Sequence, residues 1–258
     1  MLTISPAVEG LKIYPSGNYI YVSGVKKGRT TYTLTVAPGV TDIYGQTLGK
    51  TATATIKTGS ADQALYSQGG SMIVLDPNSR PTYSVYSINH NAVRVKMYRV
   101  KPEDWYGFQQ YVRYMNYDDG KRPTIPGALV YDRAVNIERV ADEMVETRID
   151  LASALDGGFG NVIVDVEPTA KRDKYDRTRI FTWIQATQIG LDAFVDSNEL
   201  VGFATELKTG KPVSGVDLSI YPNNGTPGGN VAANGETVEP GIIDTAWNWV
   251  SELFGSGG

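Results

Sequence analysis

The chain has 258 residues, 24 Lys and Arg against 28 Asp and Glu, one His, no Cys, 28 Gly and 13 Pro, which is length enough for one large domain or two to three small ones. A net charge of −4 argues against a nucleic-acid partner, which needs a basic face. The lack of Cys excludes disulfides, thiolate-held zinc, iron–sulfur clusters and a Cys nucleophile, and a lone His90 excludes multi-His metal sites and argues against a Ser-His-Asp triad.

In chain order, Met1-Leu2-Thr3-Ile4-Ser5-Pro6 has no basic region leading into an apolar one, so it is not a secretory signal. Up to Gly59 the pattern is short strands between turns. Tyr19-Ile20-Tyr21-Val22 is a strand stopped by Ser23-Gly24. In 31–36, Tyr32, Leu34 and Val36 fall on one face and three Thr on the other. Thr51-Ala52-Thr53-Ala54-Thr55-Ile56 alternates in the same way, and Asp42-Ile43-Tyr44-Gly45-Gln46 has turn chemistry. Such alternation predicts antiparallel sheet with one wet side, and residues 1–59 are expected to be a small β-sandwich.

Ser60-Ala61-Asp62-Gln63 reads as a linker into a second module over 60–177. A short buried strand is expected at 71–77, then strands at 82–88 and at 92–99, where Val93, Val95 and Met97 point inward. One stretch breaks the β pattern. Pro102-Glu103-Asp104 opens it, and Trp105, Phe108, Val112 and Met115 recur at helical spacing, so a helix near 102–116 is expected to plug one end of the sandwich. Residues 136–155 fit either a second helix or a strand around 145–149 with a loop. In the strand 161–167, Val162, Val164 and Val166 share a face, which leaves Asp165 and Glu167 outward.

A third, partial module is expected over 178–222, opening with the strand Arg179-Ile180-Phe181-Thr182-Trp183-Ile184-Gln185. Strands at 201–207 and around Val216, Leu218 and Ile220 follow, with a turn at Lys208-Thr209-Gly210-Lys211-Pro212. Residues 223–239 are rich in Gly, Asn, Pro and Thr and read as a flexible linker. Residues 242–254 then carry a wide apolar helical face, with Ile243, Trp247, Val250 and Phe254 flanked by Ile242, Ala246, Trp249 and Leu253. The acids Asp244 and Glu252, with no Lys or Arg, count against an anionic membrane as its partner. No run of 18 apolar residues exists, so a transmembrane span is absent from the sequence.

No constellation carries catalysis, a cofactor or a metal with force. His90, in Asn89-His90-Asn91, reads as a turn residue. Asp165 and Glu167 would face Arg172, or join Asp173 and Asp176 at a calcium ion, but a solvated face is the preferred reading. A glycosidase using that pair ranks last, because next-neighbours on one strand sit too close. Tyr117-Asp118-Asp119-Gly120 is a turn. Gly157-Gly158-Phe159-Gly160 lacks the Gly-Lys-Ser/Thr ending of a phosphate loop and reads as a hairpin turn. Tyr106, Tyr111, Tyr114 and Tyr117 are clustered as sugar-stacking residues would be, and carbohydrate-binding or adhesive Ig-like modules are the alternative function they support.

Three motifs carry a resemblance. Arg29-Thr30-Thr31-Tyr32-Thr33-Leu34-Thr35-Val36 followed by Val40-Thr41-Asp42-Ile43-Tyr44-Gly45-Gln46-Thr47-Leu48-Gly49 resembles a bacterial Ig-like domain. Residues 71–103, with Arg99-Val100-Lys101-Pro102-Glu103-Asp104 leading into the helix, resemble the first macroglobulin-like domain of bacterial alpha-2-macroglobulins. Thr182-Trp183-Ile184-Gln185-Ala186-Thr187-Gln188-Ile189-Gly190-Leu191-Asp192 and Leu207-Lys208-Thr209-Gly210-Lys211-Pro212-Val213-Ser214-Gly215-Val216 resemble the next. The resemblance implies an all-β fold: tandem Ig-like and macroglobulin-like antiparallel β-sandwiches with one inserted short helix, followed here by a C-terminal amphipathic helix. It implies an exported protein of the periplasm, cell envelope or extracellular space that traps proteases, whose signal is not in this chain. It also implies a non-enzymatic fragment without bait region, whose partners are proteases, through the full-length protein, and neighbouring domains of the same chain. With no Cys the family's Cys–Gln thioester cannot form here, and the tail beyond Pro222 departs from the family pattern.

Overall fold

A computed structural model describes residues 2–17, 19–115, 123–170, 176–195, 200–220 and 233–236. The chain divides into two compact units: Met1–Ala64 with Tyr86–Asn91 and Glu138–Val145, and the remainder.

In the first unit the strands are β1 (Leu2–Ser5), β2 (Glu9–Ser16), β3 (Tyr19–Val25), β4 (Thr31–Val36) and β5 (Ala52–Lys57). An antiparallel sheet runs β1-β4-β5, and β2 and β3 form a separate ribbon. Pairing sets Ile4 against Leu34 and Leu34 against Ala54, with Tyr32 against Ile56. One face is therefore apolar, and the other is built of Thr and Ser with Lys57, as the alternation predicts. Tyr32 is buried, and its hydroxyl accepts the Lys27 N–H at 2.8 Å. The ribbon lies close to the chain at Val8, since a Cβ on Gly24 would stand 2.6 Å from Val8 Cγ1, and Gly24 has φ +146°. Only glycine meets both demands there. The expected turn at 42–46 is present, with Asp42 Oδ1 accepting the Tyr44 and Gln46 N–H groups at 2.8 and 2.9 Å.

The chain continues through β6 (Ala64–Ser67), β7 (Met72–Val74), β8 (Thr82–Ile88) and β9 (Ala92–Val100). A short 3-10 turn (Pro102–Asp104) leads into α1 (Trp105–Tyr114). Then come β10 (Ala128–Asn136), β11 (Met144–Asp150), β12 (Gly160–Pro168) and β13 (Ile180–Ala186). A five-stranded sheet runs β10-β9-β12-β13-β7, and a three-stranded sheet runs β11-β8-β6. The helix begins where the sequence places it. Pro102 opens the turn, and Asp104 Oδ2, in the third position of the turn, reaches back to accept the Lys101 N–H at 2.9 Å, the back-reaching arm of a capping box. The ambiguous stretch 136–155 resolves as strand β11 and a 3-10 turn at Ala152–Ala154.

Strands β12 and β13 of the five-stranded sheet are buried on both sides. Val93, Val95, Val162, Val164, Val166 and Ile184 occupy one face with no measurable exposure. The other face meets α1 in a cluster of Val100, Phe108, Tyr111, Ile163, Phe181 and Trp183, with Trp105, Val112 and Met115 against it. Phe108 stacks on Phe181 at 5.5 Å between centroids, and Trp105 meets Trp183 edge-on at 5.3 Å. Trp183 Nε1 donates to Asn161 Oδ1 at 3.1 Å, which satisfies the indole in the core. The helix thus lies across a face of the sheet, on Ile163, Phe181 and Trp183, rather than plugging one end of the sandwich as expected.

Three further expectations change. The strand at 180–186, expected to open a third module, pairs along its length with β12 and in parallel with β7. It therefore belongs to the second module's sheet, and the boundary at 178 falls inside that sheet. The strand at 72–74 is an edge strand rather than a buried one, with Met72 and Val74 exposed. After β13 the chain forms two ribbons, β14 (Ile189–Val195) with β15 (Leu200–Glu206), and β16 (Asp217–Ile220) with β17 (Ala233–Glu236). Strand β17 lies within the stretch expected to be linker. The expected C-terminal amphipathic helix, 242–254, lies outside the described residues.

Candidate functional site

The polar centre of the second unit grows out of strand β12. Alternation puts Ile163, Asp165 and Glu167 on the face that meets α1, opposite Val162, Val164 and Val166. The strand expected to present a solvated carboxylate face thus carries Asp165 inside, 1% exposed. It is retained there because Arg179, just before β13, donates from Nε to Oδ1 at 2.7 Å and from Nη2 to Oδ2 at 2.9 Å. This bidentate fork is the strong form of the carboxylate–guanidinium pair. Arg179 Nη1 donates to the Tyr111 hydroxyl at 2.9 Å, and the guanidinium carbon lies 4.9 Å from the Phe181 ring centroid and 5.3 Å from that of Tyr111. Glu167 stands 3.6 Å from Arg179 Nε and is half-buried.

The electrostatics are those of a fastening. Burial alone pulls the Arg179 pKa down, but the hydrogen bonds and charge of Asp165, with Tyr111, outweigh it and raise the pKa above the ordinary arginine value. Both Asp165 oxygens are taken, and arginine has no proton to give at any working pH. The centre ties the last turn of α1 to β12 and the start of β13.

A second hub stands in the first unit. Asp142 accepts from Ser60 Oγ at 2.7 Å, the Ala61 N–H at 2.9 Å and Asn89 Nδ2 at 2.9 Å, and pairs with Arg29 Nε at 3.1 Å. Its own N–H donates to Asn89 Oδ1 at 2.9 Å. These hydrogen bonds, from Ser60 first, then Asn89 and Ala61, with the Arg29 charge, hold its pKa down at about 2. Asn89 and Asp142 both take left-handed backbone, φ 57° and 64°, a conformation Asn and Asp tolerate better than other non-glycine residues.

A groove of about 500 Å³ opens at the far end of the five-stranded sheet, between Arg99, Lys101, Glu103, Gly127, Asp156 and Phe159. Arg99 Nε is already committed to the Ala154 carbonyl at 3.0 Å, and Asp104 to the Lys101 N–H. The turn at 156–159 is the hairpin turn expected, closed by paired Asp156 and Phe159 hydrogen bonds at 2.9 Å, with Gly157 and Gly158 at φ 57° and 89°.

The remaining sequence candidates disperse. His90 is buried near the Asp142 hub, on the turn foreseen for it. Tyr111 is buried and held by Arg179, so it cannot stack on a sugar; Tyr114 is exposed, and Tyr117, Asp118, Asp119, Arg172 and Asp173 lie outside the described residues. Asp176 Oδ1 accepts the Thr178 N–H at 2.8 Å. Among the described residues, no three His, Cys, Asp or Glu side chains gather as a metal site would require. Sequence reasoning missed Arg179, which was read as one more strand residue. The available signal was Asp165's place on the Ile163 face of a central strand, where a carboxylate demands a buried cation.

The chain matches no family model and no curated protein. Solved structures with a similar fold do exist. One is native alpha-2-macroglobulin from Escherichia coli spanning domains MG0-NIE-MG1, at 19% identity and a TM-score of 0.52, covering 92% of this chain and 76% of that one. A second, spanning domains NIE-MG1, has 17% identity and a TM-score of 0.51 over 69% of this chain and 84% of the other. A Salmonella alpha-2-macroglobulin reacted with methylamine has 18% identity and a TM-score of 0.54, covering 91% of this chain but 14% of its own length. The chain has the macroglobulin-type β-sandwich fold of these bacterial proteins.

Proposed function

We propose that this chain is a non-catalytic structural segment of a bacterial alpha-2-macroglobulin-like protease inhibitor, with trapping performed by the full-length protein. The observation that carries the reading is the fold likeness over 92% of the chain to consecutive domains of one such protein. The site chemistry supports it. The two polar centres are saturated fastenings between elements, the work required of scaffold modules in a larger body. On this reading the partners are proteases, met through the whole protein, and neighbouring domains, and the setting is the periplasm, cell envelope or extracellular space. The test is an immunoblot of source-cell fractions with an antibody raised against this chain. A product several times larger, in the envelope fraction, is expected. A product of this chain's own size would remove trapping and leave the modules acting alone.

A second reading, glycan-binding modules, draws on a different set of tyrosines from those the sequence singled out. On the β2–β3 ribbon Tyr14 stacks on Tyr21 at 5.6 Å and Tyr19 meets Tyr21 at 6.3 Å, all three exposed. Glycan-array binding that is lost in Tyr21→Ala would favour it; an array without signal rejects it.

A further inference from the structure

We propose that the β2–β3 ribbon docks this chain on an anionic lipid surface. The inference is independent of the inhibitor reading, because it rests on one ribbon of the first unit. Register sets Tyr14 against Tyr21 and Ser16 against Tyr19 on one face, and Ile13 against Val22 and Pro15 against Ile20 on the other. The ribbon thus has an aromatic face and an aliphatic one. A surface strand keeps one apolar face for the core and turns a polar one to water, as β4 does. Here both faces are apolar and both are open. Every residue of β2 is exposed, and in β3 Tyr19 is 70% and Ile20 50% exposed. Exposed apolar surface of this extent marks a place of contact.

The occupant must satisfy both faces at once. A protein surface or a stacked sugar covers one face of a ribbon and leaves the other wet, whereas the headgroup–acyl boundary of a bilayer surrounds an element that enters it. Tyrosine, with an apolar body and a polar tip, is a side chain that such a boundary favours. Charge agrees. Between Ala7 and Gly28 the sequence holds Lys12, Lys26 and Lys27 against a single acid, Glu9, in a chain whose net charge is −4. Lysines beside a lipid-facing element draw it to anionic headgroups. The depth of entry is bounded by the backbone. Strands β2 and β3 form a sheet of two, so their outer edges carry peptide groups without a ladder partner among the described residues, which excludes the hydrocarbon core. The pairs from Lys12 with Ser23 to Ser16 with Tyr19 span about 14 Å. Entry of the Tyr19 end to about 5–10 Å therefore leaves Lys12 near the lipid phosphates.

The test sediments the full chain with vesicles of equal parts phosphatidylglycerol and phosphatidylcholine, and with vesicles of phosphatidylcholine alone. Binding to the first, and about tenfold weaker binding to the second, is expected. Two paired variants take the faces in turn: Ile13→Ser with Ile20→Ser, and Tyr14→Ser with Tyr19→Ser. Each is expected to weaken binding to the anionic vesicles by roughly tenfold. Because such changes can loosen the ribbon itself, Lys12→Glu with Lys26→Glu provides an arm that keeps both apolar faces, and it is expected to lose the binding as well. Ile43→Ser with Tyr44→Ser, which strips exposed apolar side chains from the 42–46 turn of the same unit, is expected to bind as the unaltered chain does. The proposal is overturned if the unaltered chain stays in the supernatant, binds both vesicles alike, or binds equally well after the charge reversal. It is equally overturned if only one face's variant weakens binding, which would mark a one-faced partner such as a glycan or a protein, or if the loss follows the Ile43 and Tyr44 variant instead.

Discussion

Asp165 shows how much a single residue's burial decides. It is 1% exposed with both oxygens held by Arg179, so removing the cation strands a charge in the core. Arg179→Met is expected to cost about 3–5 kcal/mol in urea unfolding. The double variant Arg179→Met with Asp165→Leu should recover most of that loss, since a buried pair replaced by apolar groups is often neutral or better. A double variant as unstable as the single one would mean that the pair holds α1 through geometry that apolar contacts do not replace. Asp142 makes the opposite case, a carboxylate whose partners act through pH. Its folded pKa, about 2, lies below the ordinary carboxylate value. Its contribution is therefore complete above about pH 4 and drains away as pH falls from there towards 2. Asp142→Asn should lower stability at pH 7, and the gap from the unaltered protein should close on acidification. A gap of constant size between pH 7 and 2 would show that hydrogen-bond geometry, not charge, is what the substitution removes.

At the scale of elements, the helix was legible and the sheet membership of one strand was not. Pro102, the acids after it and the spacing of Trp105, Phe108, Val112 and Met115 are local signals, and α1 forms where they point. Trp105→Ala is expected to cost about 3–5 kcal/mol, because the indole touches both Phe108 and Trp183. An unchanged melting curve would mean that the helix packs without it. Strand β13 has no comparable local signal. Its continuous run Ile180-Phe181-Thr182-Trp183-Ile184 marks burial on both faces, but which sheet buries it depends on pairing with β12 and β7, a long-range fact. Gly127 is the tightest point of this architecture. It takes φ +86°, and a Cβ there would stand 2.4 Å from the Arg99 carbonyl oxygen. Gly127→Ala should therefore disrupt the β9–β10 pairing by about 1–3 kcal/mol, read as faster amide exchange in β10 before any change in α1.

For the molecule as a whole, the clean Thr-versus-apolar alternation of β4 and β5 was readable from sequence, because it rests on period and turn chemistry. The polar centres were not, because Arg179 meets Asp165, and Asp142 meets Ser60 and Asn89, across separations that no local pattern encodes. The same distinction bounds what the chain can do by itself. A covalent protease tether of the thioester kind needs a cysteine sulfur, and the sequence contains none. Methylamine, which opens such a bond, should therefore leave the mass of this chain unchanged, and a protease incubated with it should release no covalent adduct on denaturing gels. Any trapping by a protein that contains this segment must then be mechanical, or use a cysteine carried elsewhere in a longer polypeptide. A mass gain of one amine on the purified chain would contradict the argument at its chemical root, since no other residue here offers an acyl group activated in that way.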